Sequence, residues 1–192
     1  LNAEYDALEH AANPAPALYR LRDGEMLKIA LRELVKGISV AAVGDELTQL
    51  AEFVVGAVLR RARAAVRARH GPTRFSFAAL ALGKFGGREM GYGSDLDLVF
   101  VYDESLDADD GSAGMPASGL APDRPQPDPS VESMPSTMQL SPTEYFAAVA
   151  SVTLKTLKEP TRYGILYDVD ARLRPDGSKG ALAIPTQRLR QY

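Results

Sequence analysis

Apolar residues recur at helical spacing through the first part of the chain. The segment from Asp23 to Gly37 has apolar positions three and four residues apart, and its ends carry a typical N-cap and C-cap residue. A second, longer helix is predicted from about Gly44 to Gly71. Its apolar face consists of Leu47, Leu50, Val54 and Val58. The pattern therefore predicts two helices ahead of the remaining elements.

Two short apolar runs follow, and each predicts a buried strand. Residues 75–82 lie between Pro72 and a glycine-rich turn at residues 83–87. Residues 95–102 begin with acidic residues and continue as an almost unbroken apolar run. The first strand thus leads into a turn of small residues, and the second strand opens with negative charge.

Residues 104–142 differ from the rest of the chain. Proline is mixed there with Asp, Ser, Gly and Ala, without apolar periodicity. Such a composition buries too little apolar surface to offset the entropy that is lost when a chain is ordered. We therefore expect a disordered insertion between two core elements. It would be dispensable to the chemistry, because lengthening a loop costs little once the fold holds its ends.

Helical spacing resumes at residues 145–158, with Ser141 or Thr143 as the predicted N-cap. Residues 165–174 then have the pattern of a strand, and residues 185–192 have that of a final helix. The predicted order of the main elements is helices, strand, strand, helix, strand. Helices beside a small number of strands indicate a mixed α/β domain.

Length and composition fit one soluble domain. The 192 residues suffice for one buried core, and no apolar run reaches the roughly 18 residues that span a bilayer. Cysteine is absent, which excludes disulfides and thiolate metal ligands. We expect a cytoplasmic protein without a membrane contact. Because the chain opens on Leu1 instead of Met and stops within a predicted helix, we also expect it to be cut from a longer polypeptide.

The net charge of −3 argues against nucleic-acid binding, which depends on a basic field. One basic cluster stands out near the predicted end of the second helix. Cations there complement the helix macrodipole, and this is the interpretation we favour. An acidic protein partner is the alternative. The cluster consists of Arg60, Arg61, Arg63, Arg67 and Arg69.

Charged residues are expected to share one face of two strands. Because side chains alternate between the faces of a strand, Asp95 and Asp97 point to the same side. The same alternation in the last predicted strand groups Asp168, Asp170, Arg172 and Arg174. Carboxylates this close repel one another unless cations neutralise them. Mg²⁺ prefers such oxygen ligands, and two Mg²⁺ ions can stabilise the attacking and leaving oxygens of a phosphoryl transfer.

The glycine-rich turn predicts a phosphate contact. Glycines let backbone N–H groups approach phosphate oxygens closely, and Lys84 and Arg88 would add positive charge. The turn lacks both the Walker A pattern and the dinucleotide-binding fingerprint. A P-loop nucleotidase and a Rossmann enzyme are therefore disfavoured.

The order of these features resembles the DNA polymerase beta-like nucleotidyltransferase superfamily. The resemblance implies an α/β (α+β) nucleotidyltransferase fold, with a mixed sheet flanked by helices and preceded by N-terminal helices. The superfamily has a Gly-Gly or Gly-Ser pair shortly before the acid pair. Here Gly83-Lys84 holds that place and Gly86-Gly87 follows slightly later, so both pairs are candidates for the triphosphate.

A closer resemblance is to the glutamine synthetase adenylyltransferase family. Three motifs carry it: ALGKFGGREM at residues 81–90, GSDLDL at 93–98 and YDVDARLRP at 167–175. Residues 26–34 also resemble the helix that precedes the catalytic part of that family. The expected organisation is a helical segment at 1–72, a nucleotidyltransferase core at 73–103 and 143–192, and the insertion at 104–142.

The resemblance implies roles for individual residues. Asp95, Asp97 and Asp170 would bind Mg²⁺, and Asp170 would act as metal ligand or general base towards the acceptor hydroxyl. Asp168 would be a structural bystander. ATP would be bound through the glycine turn and nearby polar residues, with the arginines neutralising phosphate charge in the transition state. These residues are Gly83, Lys84, Gly86, Gly87, Ser94, Arg172 and Arg174. For Arg174, an ion pair with the neighbouring aspartates is an equal alternative.

Members of that family have two related catalytic halves. One half adenylylates a tyrosine of glutamine synthetase, and the other removes the AMP by phosphorolysis. Residues 94–103 and 164–167 resemble the C-terminal, adenylylating half more closely. The resemblance also implies glutamine synthetase as the protein substrate and a PII nitrogen-regulatory protein as a further partner. Three rivals remain: the deadenylylating half, a non-catalytic module that binds nucleotide or a regulator, and a Ca²⁺-binding structural module.

Overall fold

The computed structural model describes residues 15–104 and 140–191. Two long helices come first, α1 at Ala15–Lys36 and α2 at Val40–His70. The prediction that Asp23 caps α1 is wrong, because Pro16 suits a first helical turn and the buried Leu18 extends the apolar face upstream. Its end is confirmed, since Gly37 has a φ of 61° and its N–H donates to the carbonyl of Glu33 at 3.0 Å.

Helix α2 begins earlier than predicted. The hydroxyl of Ser39 accepts a hydrogen bond from the N–H of Ala42 at 3.2 Å and so caps the helix. Gly44, which the sequence suggested as a start, lies inside the helix and is buried. The predicted end is confirmed, because Gly71 has a φ of 82° and its N–H donates to the carbonyl of Arg67. The predicted arginine cluster therefore occupies the last turns of α2.

The sheet is built around one central strand, β2 at Leu96–Asp103. Strand β1 at Ser76–Leu82 pairs with it in antiparallel fashion, and the one-turn helix α3 at Gly83–Gly86 follows β1 directly. Two short parallel strands share the other edge of β2, namely β3 at Val169–Asp170 beside its start and β4 at Ala183–Pro185 beside its end. This mixed sheet with flanking helices confirms the predicted α/β class.

Helix α4 at Pro142–Lys158 packs against the sheet. The sequence left Ser141 and Thr143 open as its N-cap, and the structure shows a capping box between Ser141 and Glu144. Thr143 instead shares a hydrogen bond of 2.6 Å with the hydroxyl of Tyr102 on β2. The cap thus fixes the start of α4, and Thr143 ties it to the end of the central strand.

The strand predicted at residues 165–174 is largely wrong. Only Val169–Asp170 pairs with β2, because the chain then leaves the sheet through a tight turn. In that turn Asp176 and Gly177 both have positive φ, and the N–H of Gly177 donates to the carbonyl of Arg174 at 2.8 Å. A 3-10 helix, β4 and the short helix α5 at Thr186–Leu189 follow. The predicted final helix at 185–192 is therefore shorter, and β4 was not predicted.

The two faces of the sheet have different surroundings. Alternate residues of β2, from Leu96 to Tyr102, face a large core shared with α2 and α4. Aromatic rings stack there, with Phe146 of α4 lying 5.0 Å from Phe77 and 5.1 Å from Tyr102 between ring centroids. The opposite face holds a small separate cluster of Val99, Val101 and Ile184. Helices α2 and α4 thus cover one face of the sheet, and the small cluster, with Leu189 of α5 packed against it, occupies the other.

Most of the predicted insertion, residues 105–139, lies outside the described residues. The boundaries proposed for the helical segment and the core stay predictions. No helix in residues 15–104 or 140–191 combines the length and the apolar character needed to cross a membrane.

Candidate active site

Three aspartates meet at one end of the sheet, and we call Asp95, Asp97 and Asp170 the acid edge. Asp95 directly precedes β2, Asp97 is its second residue, and β3 pairs Asp97 with Asp170. Directly paired residues point to the same face of a sheet, here the face away from the large core. The predicted alternation of Asp95 and Asp97 brings these carboxylates together with Asp170 from a distant part of the chain.

Electrostatics confirm that the three carboxylates influence one another. Burial raises the pKa of Asp97, and the negative charges of Asp95 and Asp170 raise it further. Neither the carboxylate of Asp95 nor that of Asp97 has a hydrogen bond or a salt bridge with another residue of the described parts of the chain. Carboxylates that repel one another without a protein partner are suited to a cation.

Asp170 differs from the other two because a cation already holds it. The guanidinium of Arg172 contacts both of its carboxylate oxygens, with Nε at 3.0 and 3.1 Å and Nη2 at 2.6 Å. The backbone N–H of Arg172 donates to the same carboxylate at 2.8 Å. These hydrogen bonds lower the pKa of Asp170 to about 2. The side chain of Arg172 is 75% exposed, so it is free to move away.

The carboxylate oxygens of these aspartates are ligands that suit a hard divalent cation. Within the described residues, no three His, Cys, Asp or Glu side chains are yet arranged to hold a metal ion. Arg172 engages both oxygens of Asp170. Mg²⁺ commonly takes one or two carboxylates from a protein and keeps several waters. Asp95 and Asp97 fit that requirement, and Asp170 would join them after Arg172 is displaced.

The glycine turn, residues 83–87, lies against the acid edge. Gly83 has a φ of 54°, and a Cβ placed on it would lie 2.1 Å from Oδ2 of Asp97. Only glycine fits both the left-handed conformation and this close approach. A Cβ on Gly86 would lie 2.5 Å from the carbonyl oxygen of Ala81, so Gly86 packs against the strand instead. Of the two candidate glycine pairs, the structure therefore brings Gly83-Lys84 to the acids.

Of the remaining predicted residues of this region, Lys84 is exposed, whereas Gly87 and Ser94 form hydrogen bonds that close turns. Lys84 is exposed and forms no ion pair with a residue that the structure describes. Gly87 closes the turn, with its N–H donating to the carbonyl of Gly83 at 2.9 Å. The hydroxyl of Ser94 accepts a hydrogen bond from the N–H of Gly91 at 2.9 Å and closes the turn just before Asp95. Ser94 thus sets the approach of the chain to the acid edge.

Two arginines do not lie where the sequence suggested. Arg174 is only 7% exposed, and its guanidinium donates to the carbonyls of Ala171 and Gly180. The predicted alternation fails there because β3 ends at Asp170, so neither a phosphate-facing position nor an ion pair with the aspartates is observed. Arg88, expected to add charge for phosphates, contacts acids of α2 instead. Both arginines fix the loops beside the acid edge.

Several residues around the site were missed from the sequence. The hydroxyl of Tyr92 donates to Glu33 of α1 at 2.8 Å, which ties the turn before Asp95 to the first helix. Lys158 of α4 lies 3.2 Å from Asp168 and donates to the carbonyl of Val169 at 3.1 Å. This contact supports the prediction that Asp168 is a bystander. No local pattern could have indicated pairs that are separated by up to 59 residues.

A protein-family model described as glutamate-ammonia ligase adenylyltransferase matches residues 3–119 and 127–192 of the chain. The match includes the glycine turn and all three members of the acid edge. It is consistent with the geometry described above, in which acids from two strands adjoin a turn of glycines.

Relatives with curated descriptions share one name, bifunctional glutamine synthetase adenylyltransferase/adenylyl-removing enzyme. The relative from Xanthomonas axonopodis pv. citri is 39% identical over 189 residues, which cover 95% of this chain and 17% of the relative. The relative from Methylococcus capsulatus is 36% identical over 184 residues, with 91% and 17% covered. That from Chromobacterium violaceum is 30% identical over 192 residues, with 100% and 17% covered. The chain therefore spans about a sixth of the length of the curated relatives it matches.

Proposed function

The chain belongs to the glutamate-ammonia ligase adenylyltransferase family, and from that premise we propose that it is a Mg²⁺-dependent nucleotidyltransferase domain. Its reaction would be the transfer of AMP from ATP to a tyrosine of glutamine synthetase, with release of pyrophosphate. The observation that carries the proposal is the pair of carboxylates of Asp95 and Asp97. Neither has a hydrogen-bond or salt-bridge partner among the residues that the structure describes, and Asp97 adjoins Gly83. Such a pair beside a glycine turn suits a metal-bound triphosphate.

In the proposed reaction the tyrosine oxygen forms a bond to the α-phosphorus of ATP, and the bond from that phosphorus to the bridging oxygen of pyrophosphate breaks. Bound Mg²⁺ would supply charge neutralisation for the attacking and leaving oxygens. Asp95 and Asp97 would hold it, and the backbone at Gly83 and the ammonium of Lys84 would orient the phosphates. Asp170 would accept the tyrosine proton or complete the metal site.

The proposal assigns a specific role to the guanidinium of Arg172. Its guanidinium neutralises Asp170 at 2.6 Å when nothing else does, and its side chain is exposed. If Asp170 helps to hold the metal ion, the guanidinium of Arg172 would be available to the phosphates, which planar bidentate donors bind well. The same positive charge would thus serve first the carboxylate and then the developing negative charge of the transferred group.

The reverse chemistry is the second candidate, since the relatives are named for both adenylyl transfer and adenylyl removal. In that reaction an oxygen of inorganic phosphate forms a bond to the phosphorus of the AMP-tyrosine, and the bond from that phosphorus to the tyrosine oxygen breaks. ADP is released, and the tyrosine side chain of glutamine synthetase is left unmodified. The same acids would serve either direction. The resemblance of residues 94–103 and 164–167 to the adenylylating half favours transfer. A PII protein as regulator and a cytoplasmic location accompany the proposal as predictions.

The test is to incubate the chain with glutamine synthetase, Mg²⁺ and ATP labelled at the α-phosphate, and to follow label on glutamine synthetase. We expect labelling that requires Mg²⁺ and is lost in the double variant Asp95→Asn/Asp97→Asn. Asp168→Asn is the matched control, because Asp168 lies close in sequence to Asp170 but pairs with Lys158. This control should label glutamine synthetase about as well as the unaltered chain.

A companion reaction separates the two directions. Adenylylated glutamine synthetase and inorganic phosphate replace ATP, and ADP release is measured. ADP release without labelling in the first assay would overturn the proposed direction and identify the removing activity. No turnover in either assay, together with nucleotide binding that persists in the double variant, would favour a non-catalytic binding module.

A further inference from the structure

Arg88 occupies an unusual backbone position next to the glycine turn. Its φ is 59°, in the left-handed region that residues with a Cβ rarely adopt. Asp176 is the other such residue among the described non-glycine residues. A strained conformation persists only where surrounding contacts hold it, and such positions cluster at functional sites. The contacts that hold Arg88 are therefore informative.

The side chain of Arg88 is clamped by two carboxylates of α2. Its Nε lies 2.6 Å from Oδ1 of Asp45, and its Nη1 lies 2.8 Å from Oε1 of Glu52. These acids are seven residues apart and so lie on the same side of the helix. The amide of Gln49, between them in sequence, donates to Asp45 at 2.7 Å and steadies it. The pair lowers the pKa of Asp45 and raises that of Arg88, as expected for a formed ion pair.

The same helix supports the backbone around the turn. A Cβ on Gly44 of α2 would lie 3.1 Å from the Cα of Glu89, so helix and turn are in close contact. Phe85 and Met90, on either side of Arg88, are 3% and 4% exposed and anchor the segment in the core. The N–H of Glu89 donates to the carbonyl of Lys84 at 3.0 Å. The segment is thus fixed at both ends and clamped in the middle.

We infer that Arg88 is a positioning residue: by binding Asp45 and Glu52 it fixes the glycine turn against Asp97, in the geometry that receives the nucleotide phosphates. This inference rests on the proposed function. The turn lies close to the acid, because a Cβ on Gly83 would be only 2.1 Å from Oδ2 of Asp97. Small displacements in the Arg88 segment would therefore reach both the phosphate contacts and the acid edge. Helix α2 thus provides the contacts that hold the turn in place.

The experiment measures binding of a fluorescent, non-hydrolysable ATP analogue with Mg²⁺ to the whole chain. Variants are Arg88→Gln, Asp45→Asn and the two combined, each with a measured Tm. Arg32→Gln is the matched control, because Arg32 of α1 forms an ion pair with Glu46, the neighbour of Asp45 on α2. It removes an ion pair to the same helix in which no residue of 83–90 is a partner.

We expect Arg88→Gln to weaken analogue binding about tenfold and Asp45→Asn about threefold, a size typical of coupled charge networks. The double variant should bind no more weakly than Arg88→Gln alone, and Arg32→Gln should bind like the unaltered chain. If Arg88→Gln does not fold, analogue binding by Asp45→Asn is compared with that by Arg32→Gln instead. A loss of analogue binding in Arg88→Gln and Asp45→Asn at comparable Tm, which the control does not share, is what a purely structural role would not produce.

Two results would overturn the inference. One is analogue binding within about twofold of the unaltered chain for Arg88→Gln and Asp45→Asn alike. The other is an equal loss in the Arg32→Gln control, which would trace the effect to general stability. If the unaltered chain itself does not bind the analogue, the proposed function fails first and the positioning role falls with it.

Discussion

The two faces of strand β2 place neighbouring residues in opposite environments. On the helix-covered face, Leu96, Leu98 and Phe100 are almost completely buried, and Phe100 stacks on Phe77 with a centroid distance of 6.0 Å. On the other face, the carboxylate of Asp97 lies between two apolar neighbours in sequence and lacks a protein partner in the described parts of the chain. One residue along the strand separates a fully buried side chain from a half-buried charge.

The difference between the two faces of β2 explains how the acid edge is held in place. The apolar face gives β2 a fixed position, because its side chains interlock with α2 and α4. That fixed position in turn keeps the acids close together although they repel one another. Stability and function are therefore assigned to alternating residues of a single strand, and changes on the two faces should have effects of different size and sign.

Phe100→Ala should have the largest effect on stability. The side chain is 1% exposed within the aromatic stack, so its loss leaves a cavity that costs about 3 to 5 kcal/mol of unfolding free energy. Val101→Ala, one residue along on the other face, should cost roughly 1 to 2.5 kcal/mol, since fewer methyl groups are removed. Urea denaturation measures both. Equal losses for the two variants would contradict the assigned difference between the faces.

Gly83→Ala should come next in size. It combines a φ of 54° with a Cβ position 2.1 Å from Oδ2 of Asp97, so we expect a loss of about 1 to 3 kcal/mol. Binding of Mg²⁺ and nucleotide should also weaken, because Asp97 must move. Gly37→Ala is the control, since Gly37 has a φ of 61° but open space around a Cβ. Strain alone predicts the same loss in both variants, and the contact with Asp97 predicts a larger loss for Gly83→Ala in urea denaturation.

Asp97→Asn should have the smallest effect on stability, and of opposite sign. Because the folded protein raises the pKa of Asp97, ionisation of this carboxyl opposes folding. Removing the charge should stabilise the chain slightly at neutral pH, within the roughly 0.5 kcal/mol typical of surface substitutions, while abolishing metal binding. The gain in stability should vanish in acid, where Asp97 is protonated in both the folded and the unfolded protein. Thermal unfolding against pH measures it, and a loss of stability at pH 7 would be the contrary result.

Sequence periodicity predicted most elements of the fold. The spacing of apolar residues indicated α1, α2, α4, β1 and β2, because each of these elements buries a regular stripe that the pattern reveals. It failed for residues 165–174, where only Val169–Asp170 found a free edge of β2 to pair with. It also missed β4, whose three residues are too few for a periodic signal and form a strand only because β2 offers a parallel edge.

The candidate site was predictable in part. The alternation of side chains placed Asp95 and Asp97 on one face, and the motifs added Asp170, whose pairing with Asp97 the structure then revealed. The partners of the arginines were not predictable. Arg174 was expected beside the aspartates and is buried among backbone carbonyls, because the strand on which that expectation rested ends at Asp170.

The sequence by itself determined which charged residues share a strand face and which motifs the chain contains, since strand parity and the motif residues are local properties of the chain. Only the tertiary structure decided how those residues are held in place. Arg88 and Asp45 are 43 residues apart and meet because α2 packs beside the turn. Likewise Gly83 approaches Asp97 because β1 and β2 pair in one register. Packing of the whole chain fixes such contacts, and no local pattern encodes them.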